Sequence, residues 1–333
     1  MKLSCGGFEG TSALRSLPAR VEAIGFDTIF AIETMHDPFI QAAVIAGHTE
    51  RAEIMTSIAV AFSRTPMLLA YAAHDLNALS CGRFILGLGS QTRPHITRRF
   101  SMPWSHPAER MNEMIRAIHA IWDCWYDGKP LAFTGQFYSH TLMTPNFAPT
   151  DTEFGRPRIH LAAVGPQMTD VAAEIADGII CHVFTTERYV REVTLPAIEA
   201  GLAARGRNRA DFEITGIPFI ACGHDDETQA RRRAEVRKQI AFYGSTPAYR
   251  GVLDLHGWGA LHEELHKLSK IGRWIEMGSL IDDDVLAAFA VLGTPREVAH
   301  ELRRRFDGLF DRLSFGFGND IETAGELATA LKH

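Results

Sequence analysis

The stretch Ile159-His160-Leu161-Ala162-Ala163-Val164-Gly165-Pro166-Gln167-Met168 decides the fold. Its first six residues form a short, nearly continuous apolar run, as expected of a parallel strand covered on both faces. Gly165-Pro166 then turns the chain: the glycine permits close backbone approach, and the proline presets φ for a first helical turn. Seven similar runs surround this βα unit: Lys2–Phe8, Thr28–Glu33, Ile54–Ala61, Phe84–Gly89, Gly178–Phe184, Phe212–Ala221 and Leu313–Phe317. Helical patterns lie between them. Asp37-Pro38 and Thr65-Pro66 each set a capping residue before a proline, and Thr294-Pro295-Arg296-Glu297 has the spacing of a capping box. The helix opened by Pro107 carries an apolar stripe at Met111, Met114, Ile115, Ile118, Ile121, Trp122 and Trp125.

Eight alternations of strand and helix predict an α/β fold, a (β/α)8 TIM barrel. An open doubly wound sheet is disfavoured because no G-x-G-x-x-G follows the first strand; Gly87-Leu88-Gly89 comes in the fourth run and lacks the third glycine. Residues 1–333 read as a single barrel domain with a helical insertion at about 244–293, before the last βα unit. Gln91–Ser105 and Gly128–Arg158 are long connections, expected as lids or binding loops.

Composition narrows the function classes. Hydrophobic residues make up 46% and charged residues 22%, which excludes wholesale disorder. A net charge of −6 speaks against nucleic-acid or anionic-membrane binding, and no apolar run reaches the roughly 18 residues of a membrane span. Five widely spaced cysteines without a CxxC predict small core hydrophobes in a reduced, cytoplasmic protein.

His262-Glu263-Glu264-Leu265-His266 matches H-E-x-x-H, the pattern of a zinc hydrolase. Its charged, glycine-flanked context and the lack of a convincing third ligand predict an exposed amphipathic helix with no metal. Gly165–Met168 is a candidate anion site, since free amides at a helix start attract phosphate. His36, after the second strand run, is a candidate proton or hydrogen-bond donor. Arg64, Arg93, Arg98 and Arg99 fall in or near rim loops, where they would meet an anionic cofactor.

Three motifs together resemble the luciferase-like monooxygenase superfamily over essentially the whole chain. They are Cys81-Gly82-Arg83-Phe84-Ile85-Leu86-Gly87-Leu88-Gly89-Ser90, Leu161–Met168 followed by Ala176-Asp177-Gly178, and Arg110-Met111-Asn112-Glu113 leading to Ile121-Trp122. The likeness points to the branch of coenzyme F420-dependent oxidoreductases, and Ala241–Arg250 is similar to an actinobacterial-type subfamily of it. The resemblance implies a deazaflavin ring at the C-terminal rim and hydride transfer to or from a small organic substrate. FMN is the alternative cofactor, in an FMN-dependent monooxygenase. The resemblance further implies a non-proline cis peptide at Ser57-Ile58, behind the ring. Gly89 and Ser90 would line the ring pocket, Val164, Gly165, Pro166, Gln167 and Met168 would hold the phosphate, and His36 would be catalytic. A homodimer is also implied. Two departures stand out. Where relatives carry an acid-histidine or Glu-His-His run, this chain has Glu33-Thr34-Met35-His36. Where sugar-phosphate dehydrogenases of the branch carry a glutamate, it has Ser90-Gln91-Thr92-Arg93, which argues against that substrate.

Overall fold

The computed structural model describes residues 1–317 and 320–332. Eight parallel strands form the barrel: β1 (Lys2–Gly6), β2 (Thr28–Ala31), β3 (Glu53–Thr56), β4 (Phe84–Gly89), β5 (Arg158–Ala163), β6 (Gly178–Cys181), β7 (Glu213–Gly216) and β8 (Arg312–Phe315). Each pairs with its successor, and Lys2 against Arg312 closes β1 onto β8. The ring includes Ile54 against Phe84 between β3 and β4. Outside it lie α1 (Leu17–Ile24), α2 (Pro38–Gly47), α3 (Pro66–Leu79), α4 (Pro107–Asp127), α5 (Pro166–Ile175) and α6 (Leu195–Ala204). After β7 come α7 (Asp226–Gly244), α8 (Arg250–Leu255), α9 (Gly259–Lys270), α10 (Trp274–Ser279) and α11 (Asp283–Phe289). The barrel resumes with α12 (Pro295–Phe306), and α13 (Ile321–Lys332) follows β8.

The local start signals act as the sequence suggests. The Asp37 carboxylate accepts the Phe39 and Ile40 amides at 2.8 and 3.2 Å, and both halves of the Thr294–Glu297 box are formed. The apolar stripe of α4 is buried.

The strand run Phe212–Ala221, the start of the inserted layer and the burial of Cys81 need correction. Phe212–Ala221 is not one strand. Pro218 interrupts it, and Phe219–Cys222 leaves the barrel to pair with Ala290–Gly293 in a small parallel sheet. The extra layer therefore begins with Phe219–Cys222 and α7, ahead of residue 244. The two long connections are pinned to α4: Glu113 accepts the amides of Gln136, Phe137 and Tyr138, while Arg110 donates to Pro103 O and Tyr138 Oη. Among the cysteines, Cys5, Cys181 and Cys222 are buried, but Cys81 is exposed, just past the end of α3.

The barrel interior is layered. Lys2, Glu53, Arg158, Glu213 and Arg312 begin five strands and meet at the N-terminal end. Arg312, fully buried, lies 2.6 Å from both Glu53 and Glu213, and Arg158 also lies 2.6 Å from Glu53. Burial opposes ionisation of Glu53, but Arg312 and Arg158 overcome it and hold its pKa far below the ordinary carboxylate range. Further along β5 is His160, whose pKa is pushed down to about 3 by complete burial. Further along again, Phe30, Met55, Ile85 and Ile180 form an apolar cluster from four strands. This cluster is the floor of the C-terminal mouth.

Candidate functional site

Side chains on one face of a strand recur every second residue. One step beyond the floor residues, that rule reaches Ile32 after Phe30, Ser57 after Met55, and His182 after Ile180. On β5 it takes Ala162, packed on the same cluster, to Val164. The mouth is therefore built from residues at or just past the strand ends, where α/β barrels carry their chemistry.

β3 breaks at Ser57, whose peptide bond to Ile58 is cis, and resumes as Ala59–Val60 beside Leu88 and Gly89 of β4. A Cβ on Gly89 would lie 2.9 Å from Ile58 Cδ1, so a bare glycine lets Ile58 sit against this strand. Ser90 follows, half-buried. The next strand, β5, ends in the turn that starts α5. Gly165 has β-region φ/ψ at the N-cap, and a Cβ there would meet nothing within 4 Å. The amides of Gln167 and Met168 have no acceptor among the described residues, whereas Thr169 bonds back to Gly165 O at 3.1 Å. The adjacent strand, paired through Ala163 and Cys181, leads to His182. The fold thus brings Ser57, Ile58, Gly89, Ser90 and Val164–Met168 onto three neighbouring strand ends.

His36 stands differently. It lies on the rim, one residue before the N-cap of α2; its side chain is exposed and makes no hydrogen bond among the described residues. The arginines divide. Arg64 pairs with Glu33 and Asp37, both at 2.7 Å, and is not available to an anion. Arg99 donates to Thr34 O, tying the loop after β4 to the loop after β2. Arg93 and Arg98 are exposed and unpaired among the described residues.

Sequence reading missed His182. Its ring sits 4.6 Å from Tyr249 and 4.8 Å from Tyr243, tyrosines of the inserted layer. The Phe184 amide donates to His182 Nδ1 at 3.0 Å, and burial lowers the ring's pKa to about 4. Burial, then the neighbouring Tyr243, pushes the Tyr249 hydroxyl up to about 12.

The H-E-x-x-H histidines serve a helix end. His262 Nδ1 donates to Gly244 O at 2.7 Å, and His266 Nδ1 to Ser245 O at 2.9 Å, satisfying carbonyls at the C-terminus of α7. The expected exposed helix is thereby corrected: His262 and Leu265 are buried against the inserted layer. No group of three potential metal-binding side chains occurs among the described residues.

The chain is a closed parallel α/β barrel with a helix start presenting free amides at its mouth. The chain belongs to the luciferase-like monooxygenase family, which it matches over residues 8–312. An uncharacterized protein of Mycobacterium tuberculosis is 51% identical over 293 residues, spanning 88% of this chain and 86% of that protein. The 5,10-methylenetetrahydromethanopterin reductase of Archaeoglobus fulgidus is 25% identical over 288 residues, spanning 84% and 82%. Among solved structures, the coenzyme F420-dependent tetrahydromethanopterin reductase from Methanopyrus kandleri superposes with a TM-score of 0.80 at 19% identity, covering 98% of this chain and 96% of that one.

Proposed function

We propose that this chain is an oxidoreductase that moves a hydride between the deazaflavin coenzyme F420 and a small organic substrate at the barrel mouth. The observation that carries the reading is the start of α5, where the Gln167 and Met168 amides lack acceptors and the space over Gly165 is open. A phosphate fits both features, because the helix start presents N–H donors and positive potential. Val164, Gly165, Pro166, Gln167 and Met168 would hold that phosphate. Ser57, Ile58, Gly89 and Ser90, on the neighbouring strand ends, would flank the ring. When bound, the coenzyme supplies two-electron hydride chemistry at one ring carbon. The chain does the rest. Phe30, Met55, Ile85 and Ile180 exclude water from beneath the mouth. His36, exposed on the rim, would act as the acid. Relatives named as F420-dependent enzymes support the choice of coenzyme.

The reading includes a homodimer in the cytoplasm with no nucleic-acid partner. Among the described residues, no helix is long and apolar enough to cross a membrane. A second reading, an FMN-dependent monooxygenase, draws on the family's description and on the same phosphate turn. Fluorescence titration of the apoprotein with both cofactors separates the two. F420 binding tighter by about tenfold or more, some 1.4 kcal/mol, supports the first reading. Equal or tighter FMN binding overturns it in favour of the second.

A further inference from the structure

A backbone amide fixes the tautomer of His182. A peptide N–H can only donate, so the Phe184 amide, 3.0 Å from Nδ1, requires that nitrogen to be unprotonated. A neutral ring must then carry its proton on Nε2. Burial keeps the ring neutral well below pH 7. Nε2 has no hydrogen-bond partner among the described residues, and His182 as a residue is only partly buried. Tyr249 is tilted against it at 33°, and Tyr243 stands across it at 86°. Neither tyrosine hydroxyl is hydrogen-bonded among the described residues, and both residues are partly buried against the inserted layer. Nearby cations are engaged elsewhere: Arg188 pairs with Glu192, and Arg250 with Asp254 and Glu263.

We propose that His182 is a neutral hydrogen-bond donor to the oxygen of an uncharged carbonyl substrate that lies against Tyr243 and Tyr249. This deepens the oxidoreductase reading and rests on it for the hydride. With a conjugated enone as acceptor, the hydride leaves the reduced coenzyme and bonds to the β-carbon. The alkene electron pair shifts, placing negative charge on the carbonyl oxygen. The coenzyme is oxidised by two electrons and the enone reduced by two; a proton from the acid His36, replaced from solvent, completes the α-carbon. His182 gives up no proton, since losing it would leave an imidazolate. Its Nε2–H strengthens its bond as the oxygen becomes negative, the role a neutral imidazole plays when it polarises a carbonyl. Arg188 and Arg250 are already paired, whereas tyrosine rings suit a planar, neutral molecule.

The test uses cyclohex-2-en-1-one as probe and the full-length chain. In long-range 1H–15N spectra of histidine-labelled protein, the His182 signals, identified by their loss in His182→Gln, should report the Nε2–H tautomer and shift on adding the probe without coenzyme. The opposite tautomer, or no shift with the probe, overturns the proposal whatever the coenzyme does. In reoxidation of reduced F420 by the probe, His182→Phe should lower kcat/KM by about 10²-fold, and His182→Gln, which keeps an N–H, should recover most of it. F420 affinity should stay unchanged in both variants. Wild-type kcat/KM in His182→Phe also overturns the proposal. Failure of the wild-type chain to bind F420 defeats the oxidoreductase reading instead, leaving the spectra to judge the donor.

Discussion

Glu33 reaches from the end of β2 across the break in β3, where one carboxylate oxygen, Oε2, accepts the Val60 amide and Arg64 Nη1, each at 2.7 Å. Its side chain is only 6% exposed, so it holds the resumed strand beside Gly89 from a largely dry position. Glu33→Ala removes the acceptor and leaves the Val60 amide without one, while Arg64 keeps Asp37. A hydrogen bond to a charged group contributes about 1.5–3 kcal/mol. Urea unfolding should show a loss in that range, with a smaller loss for Glu33→Gln. A change below about 0.5 kcal/mol, the scatter of ordinary surface substitutions, would contradict this role.

His160 makes acid stability measurable. Its ordinary value of 6.5 applies to the unfolded chain, against about 3 in the folded barrel. Between those values the unfolded chain binds a proton that the folded chain refuses. Stability is therefore level above about pH 6.5 and falls as pH drops through that window, by up to about 1.4 kcal/mol per unit. Glu53 and Glu213, with lowered values, begin to contribute only near and below the usual glutamate range. Comparing unfolding at pH 7 and pH 5 thus mainly samples the histidines. His160→Gln should lose about 2 kcal/mol less than wild type over that interval. Equal declines in the two proteins would show that His160 does not titrate this way.

The parts of this fold that were readable in the sequence are those whose cause is local. The Thr294–Glu297 box and the Asp37-Pro38 start need only neighbours three residues apart, and each formed. Pro218 was also a local signal that Phe212–Ala221 could not continue as one ladder, but the apolar residues on either side hid it. What escaped was assembled from distant segments. Arg312 meets Glu53 across 259 residues. His182 acquires its character from a backbone amide two residues on and from Tyr243 and Tyr249, some sixty residues later. No spacing pattern carries such a relationship. His262-Glu263-Glu264-Leu265-His266 was misread in burial: the helix expected to be exposed is held against the end of α7, where His262 Nδ1 and His266 Nδ1 donate to the Gly244 and Ser245 carbonyls.

Gly165→Ala separates folding from binding at the phosphate turn. Its backbone, φ −86° and ψ 162°, suits an alanine, and the new Cβ meets no protein atom within 4 Å. The N-cap preference of glycine over alanine limits the stability loss to about 1 kcal/mol. If a phosphate occupies that open space, the methyl group intrudes on it. Calorimetric titration should then show F420 affinity reduced by about tenfold or more, with little change in melting temperature. Unaltered affinity would move the phosphate away from this turn.

Arg93 and Arg98 bear on the choice between the two cofactors. FMN and F420 both carry a phosphate on a ribityl chain, so the α5 turn cannot tell them apart. F420 adds an acidic oligoglutamate tail, which needs cations beyond the phosphate site. Arg64 is held by Glu33 and Asp37. Arg93 and Arg98, exposed in the loop after β4 and unpaired among the described residues, remain available. That loop is fixed to the β2 end through Arg99 and Thr34, so the two cations stand over a defined part of the rim. On a chain of net charge −6, a local basic loop attracts an anion at short range while the rest of the surface repels it. Exposed pairs are worth about 0.2–1 kcal/mol each and are screened by salt. Replacing both arginines with alanine should therefore weaken F420 binding by about two- to thirtyfold at low salt and much less at about 0.5 M salt, with FMN binding unchanged at both. Equal weakening of F420 and FMN would instead place these arginines at the shared phosphate, and no weakening of either would leave the tail to other residues.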